Sequence, residues 1–167
     1  MSRPVQAAKR PVSAMLAGPY GHPFHPILVT VPIGAWVSSL VFDVGSRIVD
    51  GAEFLVRGSG WLIAIGVVGA VAAALVGFLD LLAIPTGTRA FRTGIVHMSL
   101  NLTVTAAYLV NFLWRQGNDA AVGAGPLVLS VVSLAALGVS GYLGGKLAYH
   151  YGVRVADETT QADGYTT

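Results

Sequence analysis

A chain of 167 residues with 54% hydrophobic and only 11% charged residues falls far short of the roughly 25% charge of soluble domains, and its mean hydropathy of +0.67 points to a membrane protein. The absence of cysteine excludes disulfides, thiolate-held iron–sulfur centres and covalent c-type haem within the chain. A net charge of +2 is too mild for a nucleic-acid partner and reads as topology charge.

Residues 1–20 hold Arg3, Lys9 and Arg10 among prolines and small residues, which predicts a flexible leader. No compact apolar core with a cleavage site precedes His22, so the leader is expected to be retained rather than removed as a signal peptide. Next comes Gly21-His22-Pro23-Phe24-His25-Pro26. Each proline biases the preceding histidine away from the helical basin, while Pro26 suits the first turn of a helix. The two histidines are therefore expected on a stiff elbow at the mouth of the first helix.

Four helix-length apolar segments follow, at about Ile27–Ile48, Ser59–Ile84, Arg89–Trp114 and Leu127–Tyr149. Each reaches the roughly 20 residues needed to cross a bilayer, and backbone satisfaction in lipid makes each a helix. The links are the polar stretch Val49–Gly58, a tight turn at Pro85-Thr86-Gly87-Thr88, and a loop through Gly117-Asn118-Asp119 and Gly123-Ala124-Gly125-Pro126. Residues 156–167 are polar and read as a disordered tail. The fold class is all-α: an integral membrane four-helix bundle over residues 21–155. Arg3, Lys9, Arg10, Arg89, Arg92, Lys146 and Arg154 fall on one side and only Arg47, Arg57 and Arg115 on the other. The positive-inside rule then places both termini in the cytoplasm.

With that topology His22, His25, Asp80, His97, Lys146 and His150 share the cytoplasmic end, drawn from all four helices. Ionisable groups within a membrane are costly and default to a functional reading. The third helix adds a stripe of His97, Asn101, Val104, Tyr108 and Asn111, all within about 40° of one direction. Either it glues helices together or it lines a site. Gly138, Gly141 and Gly145 share a face of the fourth helix, with Gly144 beside them. They offer either close helix packing or room for a flat macrocycle. Asp43 is expected to cap, to pair with Arg47 or to face water, and Asp80 to pair with Lys146.

Neutral imidazole ligates haem iron and many other metals. The leading expectation is an integral membrane redox protein binding b-type haem. His25 and His97 would be its axial ligands, with His22, Asp80 and Asn101 around them. The alternatives are a divalent metal ion held by His22, His25, His97 and Asp80, a histidine protonation relay, and a non-catalytic accessory subunit of a membrane complex. Whether the chain is an enzyme stays open, but no hydrolase or phosphate-loop motif is present. Transport is disfavoured because the ionisable groups gather at one face rather than the midplane. Expected partners are the lipid bilayer, a redox or membrane-complex protein and a second copy of the chain.

The elbow with Pro32-Ile33-Gly34, Gly77-x-x-Asp80, His97-x-x-x-Asn101, and Ser140-Gly141-x-x-Gly144-Gly145 followed by Tyr149 and Gly152-Val153 resembles the bacterial four-helix membrane domain of unknown function 2231. The resemblance spans about Gly21 to Val155. It implies a bacterial inner-membrane protein and, because such domains occur fused to Rieske-type iron–sulfur domains, a redox neighbourhood. The resemblance also implies an aromatic residue or histidine beside the final Gly-Val, where this chain has Tyr151. His150 stands one place earlier, which sets it outside the expected ligand set.

Overall fold

The computed structural model describes residues 3–117 and 122–166, and among these every regular element is helical. Four helices are long and apolar enough to cross a membrane: His25–Gly45, Glu53–Leu82, Arg89–Trp114 and Ala124–His150. They form two antiparallel hairpins, the first span against the second and the third against the fourth. The second and third spans pack across the bundle, as do the first and fourth. Valines, leucines and aromatics such as Val68, Leu75, Val132 and Tyr142 cover the outside, the pattern of a bundle solvated by lipid.

Local sequence explains the details. The first span begins at His25, two residues before the expected start, with Pro26 in its first turn. It breaks for one residue at Val29, between His25–Leu28 and Thr30–Gly45. Pro32 cannot donate to the carbonyl four residues earlier, which loosens the helix there. Thr30 Oγ1 donates to the Ile27 carbonyl at 2.7 Å and bridges the break. The second span begins six residues earlier than expected, at Glu53, because nothing in 53–58 stops a helix. The third span matches its expected bounds, and Thr88 caps it by accepting from Phe91 N–H at 3.1 Å. The fourth starts at Ala124 and ends in a π-helical turn, Lys146–His150. In the loop before it, Asn118 and Asp119 lie outside the described residues.

The leader and the tail depart from expectation. Helices Arg3–Lys9 and Ala14–Ala17 replace the loose leader. Ala8 packs with Leu81, Ile84 and Val153. Arg154 N–H donates to the Ala8 carbonyl at 3.0 Å, and Lys9 Nζ donates to the carbonyls of Val155 and Ala156 at 3.1 and 3.3 Å. The two terminal segments are thus tied together at one end of the bundle. Beyond them Asp157 caps a short helix, Glu158–Asp163, where a disordered tail was expected.

Candidate functional site

The third-span stripe points inward, as its periodicity requires, and what it meets is the first span diagonally opposite. Three cross-bundle pairs join these two helices. At one end the rings of His25 and His97 stand with centroids 6.2 Å apart and planes at 84°. In the middle Trp36 and Tyr108 stack at 4.2 Å and 8°. At the far end Arg115 Nη1 and Nη2 donate to the two Asp43 oxygens, each at 2.6 Å.

Each histidine is held by its own hairpin. His25 Nδ1 lies 2.9 Å from the Ala73 carbonyl on the second span. His97 Nδ1 lies 2.8 Å from the Ser140 carbonyl on the fourth. A carbonyl only accepts, so both Nδ1 atoms carry the proton and both Nε2 atoms present a lone pair. Anchoring the distal N–H on a backbone carbonyl is how proteins orient an imidazole ligand. Asn101 Nδ2 lies 3.2 Å from His97 Nε2 and 3.5 Å from His97 Nδ1, which places the amide over the ring face, and it donates to the His97 carbonyl at 3.0 Å. Among the described residues no side-chain amide lies against the His25 ring in this way.

Glycine makes the seats. A Cβ on Gly77 would stand 2.8 Å from His25 Cε1 and Nδ1, and one on Gly144 would stand 3.1 Å from His97 Cε1. The family-like glycines of the second and fourth spans therefore make room for the rings themselves. Gly138 and Gly141 would meet nothing within 4 Å and lie on the outer surface, so no macrocycle slot forms along that face.

The wider set of expected ligands is not assembled. His22 is exposed and turns to its own loop, with Nδ1 3.4 Å from the Tyr20 carbonyl. Asp80 is taken by Arg154, whose Nε donates to Oδ1 at 2.7 Å, and not by Lys146. Lys146 instead lies over the Tyr151 ring. His150 is exposed against Tyr151. Among the described residues no three His, Cys, Asp or Glu side chains gather to hold an ion. The four-ligand shell of His22, His25, His97 and Asp80 therefore gives way to a pair with Asn101 beside it.

Two further arrangements escaped the sequence reading. Asp43, fully buried, pairs across the bundle with Arg115 and not with Arg47. Ser59 donates to its Oδ1. Arg115 also donates from Nε to Asn111 Oδ1 at 2.6 Å and from Nη1 to Ser59 Oγ at 3.0 Å. At the histidine end Arg154 has a left-handed backbone, φ 61°. Its Nη2 donates to the carbonyls of Ala17 and Gly18 at 2.9 and 2.7 Å, which fastens the leader over Asp80.

The family model described as "Predicted membrane protein (DUF2231)" matches residues 21–157. The chain belongs to this family. The match opens on the first residue of the histidine elbow and closes just past Arg154. The DUF2231 region therefore takes in all three cross-bundle pairs and the arginine of the clasp, and leaves out the leader that the clasp holds. No curated protein and no solved structure matches the chain.

Proposed function

We propose that this membrane protein binds a metal centre between His25 and His97, with haem b iron the first candidate and electron transfer its use. The observation that carries the reading is the paired imidazole geometry. Both distal nitrogens are fixed on backbone carbonyls of neighbouring helices, and the ring centroids are 6.2 Å apart. Facing helices would thus each offer a metal one neutral imidazole nitrogen, Nε2 of His25 and of His97. A haem there would supply a one-electron couple.

The protein's own part is orientation. Ala73 and Ser140 hold the rings, Gly77 and Gly144 seat them, and Asn101 lies over one face of the His97 ring. The orientation we propose puts both termini in the cytoplasm of a bacterial inner membrane. It is supported by the placement of lysine and arginine, seven of the ten lying on the side of the termini.

A second reading is favoured by the fact that His97 has protein partners at Nδ1 and over its ring face. In that reading the histidines staple the hairpins of a non-catalytic subunit of a membrane complex. An oxidised-minus-reduced visible spectrum of the detergent-purified protein, with metal analysis of the same sample, separates the two. A sharp reduced α-band with iron near one per chain, lost in both His25→Ala and His97→Ala, is the expected result. A flat spectrum from haem-replete cells, with no stoichiometric metal, would overturn the metal reading in favour of the staple.

A further inference from the structure

The cross-bundle pairs share a numerical regularity. His25 and His97, Trp36 and Tyr108, and Asp43 and Arg115 are each separated by the same 72 positions. The second and fourth spans repeat with their own constant offset of 67. Trp36 Nε1 donates to the Ile63 carbonyl and Tyr108 Oη to that of Ser130. His25 is anchored on Ala73 and His97 on Ser140. Gly77 seats His25 and Gly144 seats His97; Gly58 faces Phe42 as Gly125 faces Trp114. Every partner in the second half stands where the first half's numbering puts it. Both hairpins run from the histidine end to the ion-pair end, so a rotation about the bundle axis relates them, as in parallel membrane repeats. Residues that meet their own counterparts, as all three pairs do, must lie on that axis.

The halves have diverged at the site. Asn101, beside His97, corresponds to Val29 beside His25, and Ser140 corresponds to Ala73. Ser140 Oγ lies 3.0 Å from His97 Nδ1, and the Asn101 amide lies over the His97 ring, 3.2 Å from Nε2 and 3.5 Å from Nδ1. An alanine and a valine give His25 no counterpart of either contact.

We infer that the domain is a duplicated helical hairpin whose two halves hold unequal imidazoles: His97 is the one restrained by polar neighbours, and His25 is the freer one, the first to meet an incoming metal ion. Its ligand role rests on the metal reading above. The inequality itself is a property of the chain without metal. A second half with the valine and alanine of the first would leave two equally free rings, and Asn101 and Ser140 break that equality.

Diethyl pyrocarbonate, which acylates a free imidazole nitrogen, tests this on the full metal-free chain in detergent, with each histidine read by peptide mass spectrometry. The exposed His22 and His150 serve as references. One hydrogen bond of ordinary net strength corresponds to a factor of about three to ten, so His25 should react about three- to tenfold faster than His97. Replacing the flanks of His97 by those of His25, with Asn101→Val and Ser140→Ala, should raise His97 to the rate of His25. Asn101→Val alone should give most of that effect if the double variant does not fold. The reciprocal Val29→Asn with Ala73→Ser should slow His25.

Equal rates in the wild-type chain, or a His97 rate unmoved by Asn101→Val in a protein that melts normally, would overturn the inference. Titration with Zn²⁺ or haem, read as protection of both histidines, reports separately on the metal reading. Unequal rates without protection would leave the divided halves standing and remove the metal.

Discussion

Removing Arg115 is the sharpest test of the axis. Asp43 is 0% and Arg115 8% exposed at the side chain, and the guanidinium fills both carboxylate oxygens, Asn111 and Ser59. In Arg115→Met the carboxylate keeps only the Ser59 hydroxyl in a site closed to water. Breaking a buried pair from one side costs about 3–5 kcal/mol, so Arg115→Met and Asp43→Leu should each lose about that much. Replacing both partners by apolar residues of similar volume is often neutral, so the double variant should recover most of the loss. The coupling energy would then be at least about 3 kcal/mol. Reversible unfolding in mixed dodecylmaltoside–SDS micelles measures all four corners of the cycle. The reversed pair, Asp43→Arg with Arg115→Asp, adds a test of the two-fold relation and should be more stable than either single variant. Single losses under about 1 kcal/mol, the value of an exposed pair, or simple additivity would refute the reasoning.

Three further outcomes follow from the same geometry. Gly77→Ala drives a methyl to 2.8 Å from the His25 ring and Gly144→Ala to 3.1 Å from the His97 ring. Overpacking of this kind costs about 1–3 kcal/mol, with Gly77→Ala the worse, whereas Gly141→Ala should fall within about 0.5 kcal/mol of wild type in the same unfolding assay. Arg154→Ala leaves the buried Asp80 without its partner and frees the carbonyls of Ala17 and Gly18; limited proteolysis should then cut residues 3–20 faster than in wild type, and unchanged cleavage would show that the clasp does not hold the leader. Asp157, on the exposed tail, has its pKa lowered, chiefly by the bond it accepts from Thr160 N–H. Its folded value lies below its unfolded one, so its cap is in place above the unfolded carboxylate value of about 3.9 and is lost as pH falls through the folded one. The Thr160 amide resonance should report that loss, and no change on acidification would refute the cap.

The four spans were legible because a bilayer leaves a long uncharged run little choice but a helix. The meeting of His25 with His97 was legible because topology and a 3.6-residue period together put both rings at one end and inside. The ion pairs were not. Asp43 has Arg47 one turn away, and local spacing favours that neighbour; only the crossing of the first and third spans brings Arg115 to it. Arg154 lies past the end of the fourth span and reaches back to Asp80 from a left-handed backbone. Lys146, nearer in depth, lies over the Tyr151 ring instead. A signal for the first pair did exist in the sequence: the 72-residue offset from His25 to His97 leads from Asp43 to Arg115, and from Trp36 to Tyr108. A search for internal repeats, made before the pairing of charges, finds all three.

The axis also explains what joins the two halves. Lipid tails are as apolar as the outer faces of the spans, so burial gives little drive to helix association in a membrane. What joins the two halves must be polar contact and close packing, and the pairs on the axis supply both. Two of them are complete in themselves: the aromatic rings stack on each other, and the guanidinium and carboxylate bond to each other. The third differs. The imidazoles stand 6.2 Å apart at their centres, and each Nδ1 is satisfied within its own hairpin. Neither ring spends a hydrogen bond on its counterpart. The histidine rung is joined by a T-shaped ring contact alone, and it stands at the end of the bundle where the terminal clasp, not another span, closes the structure.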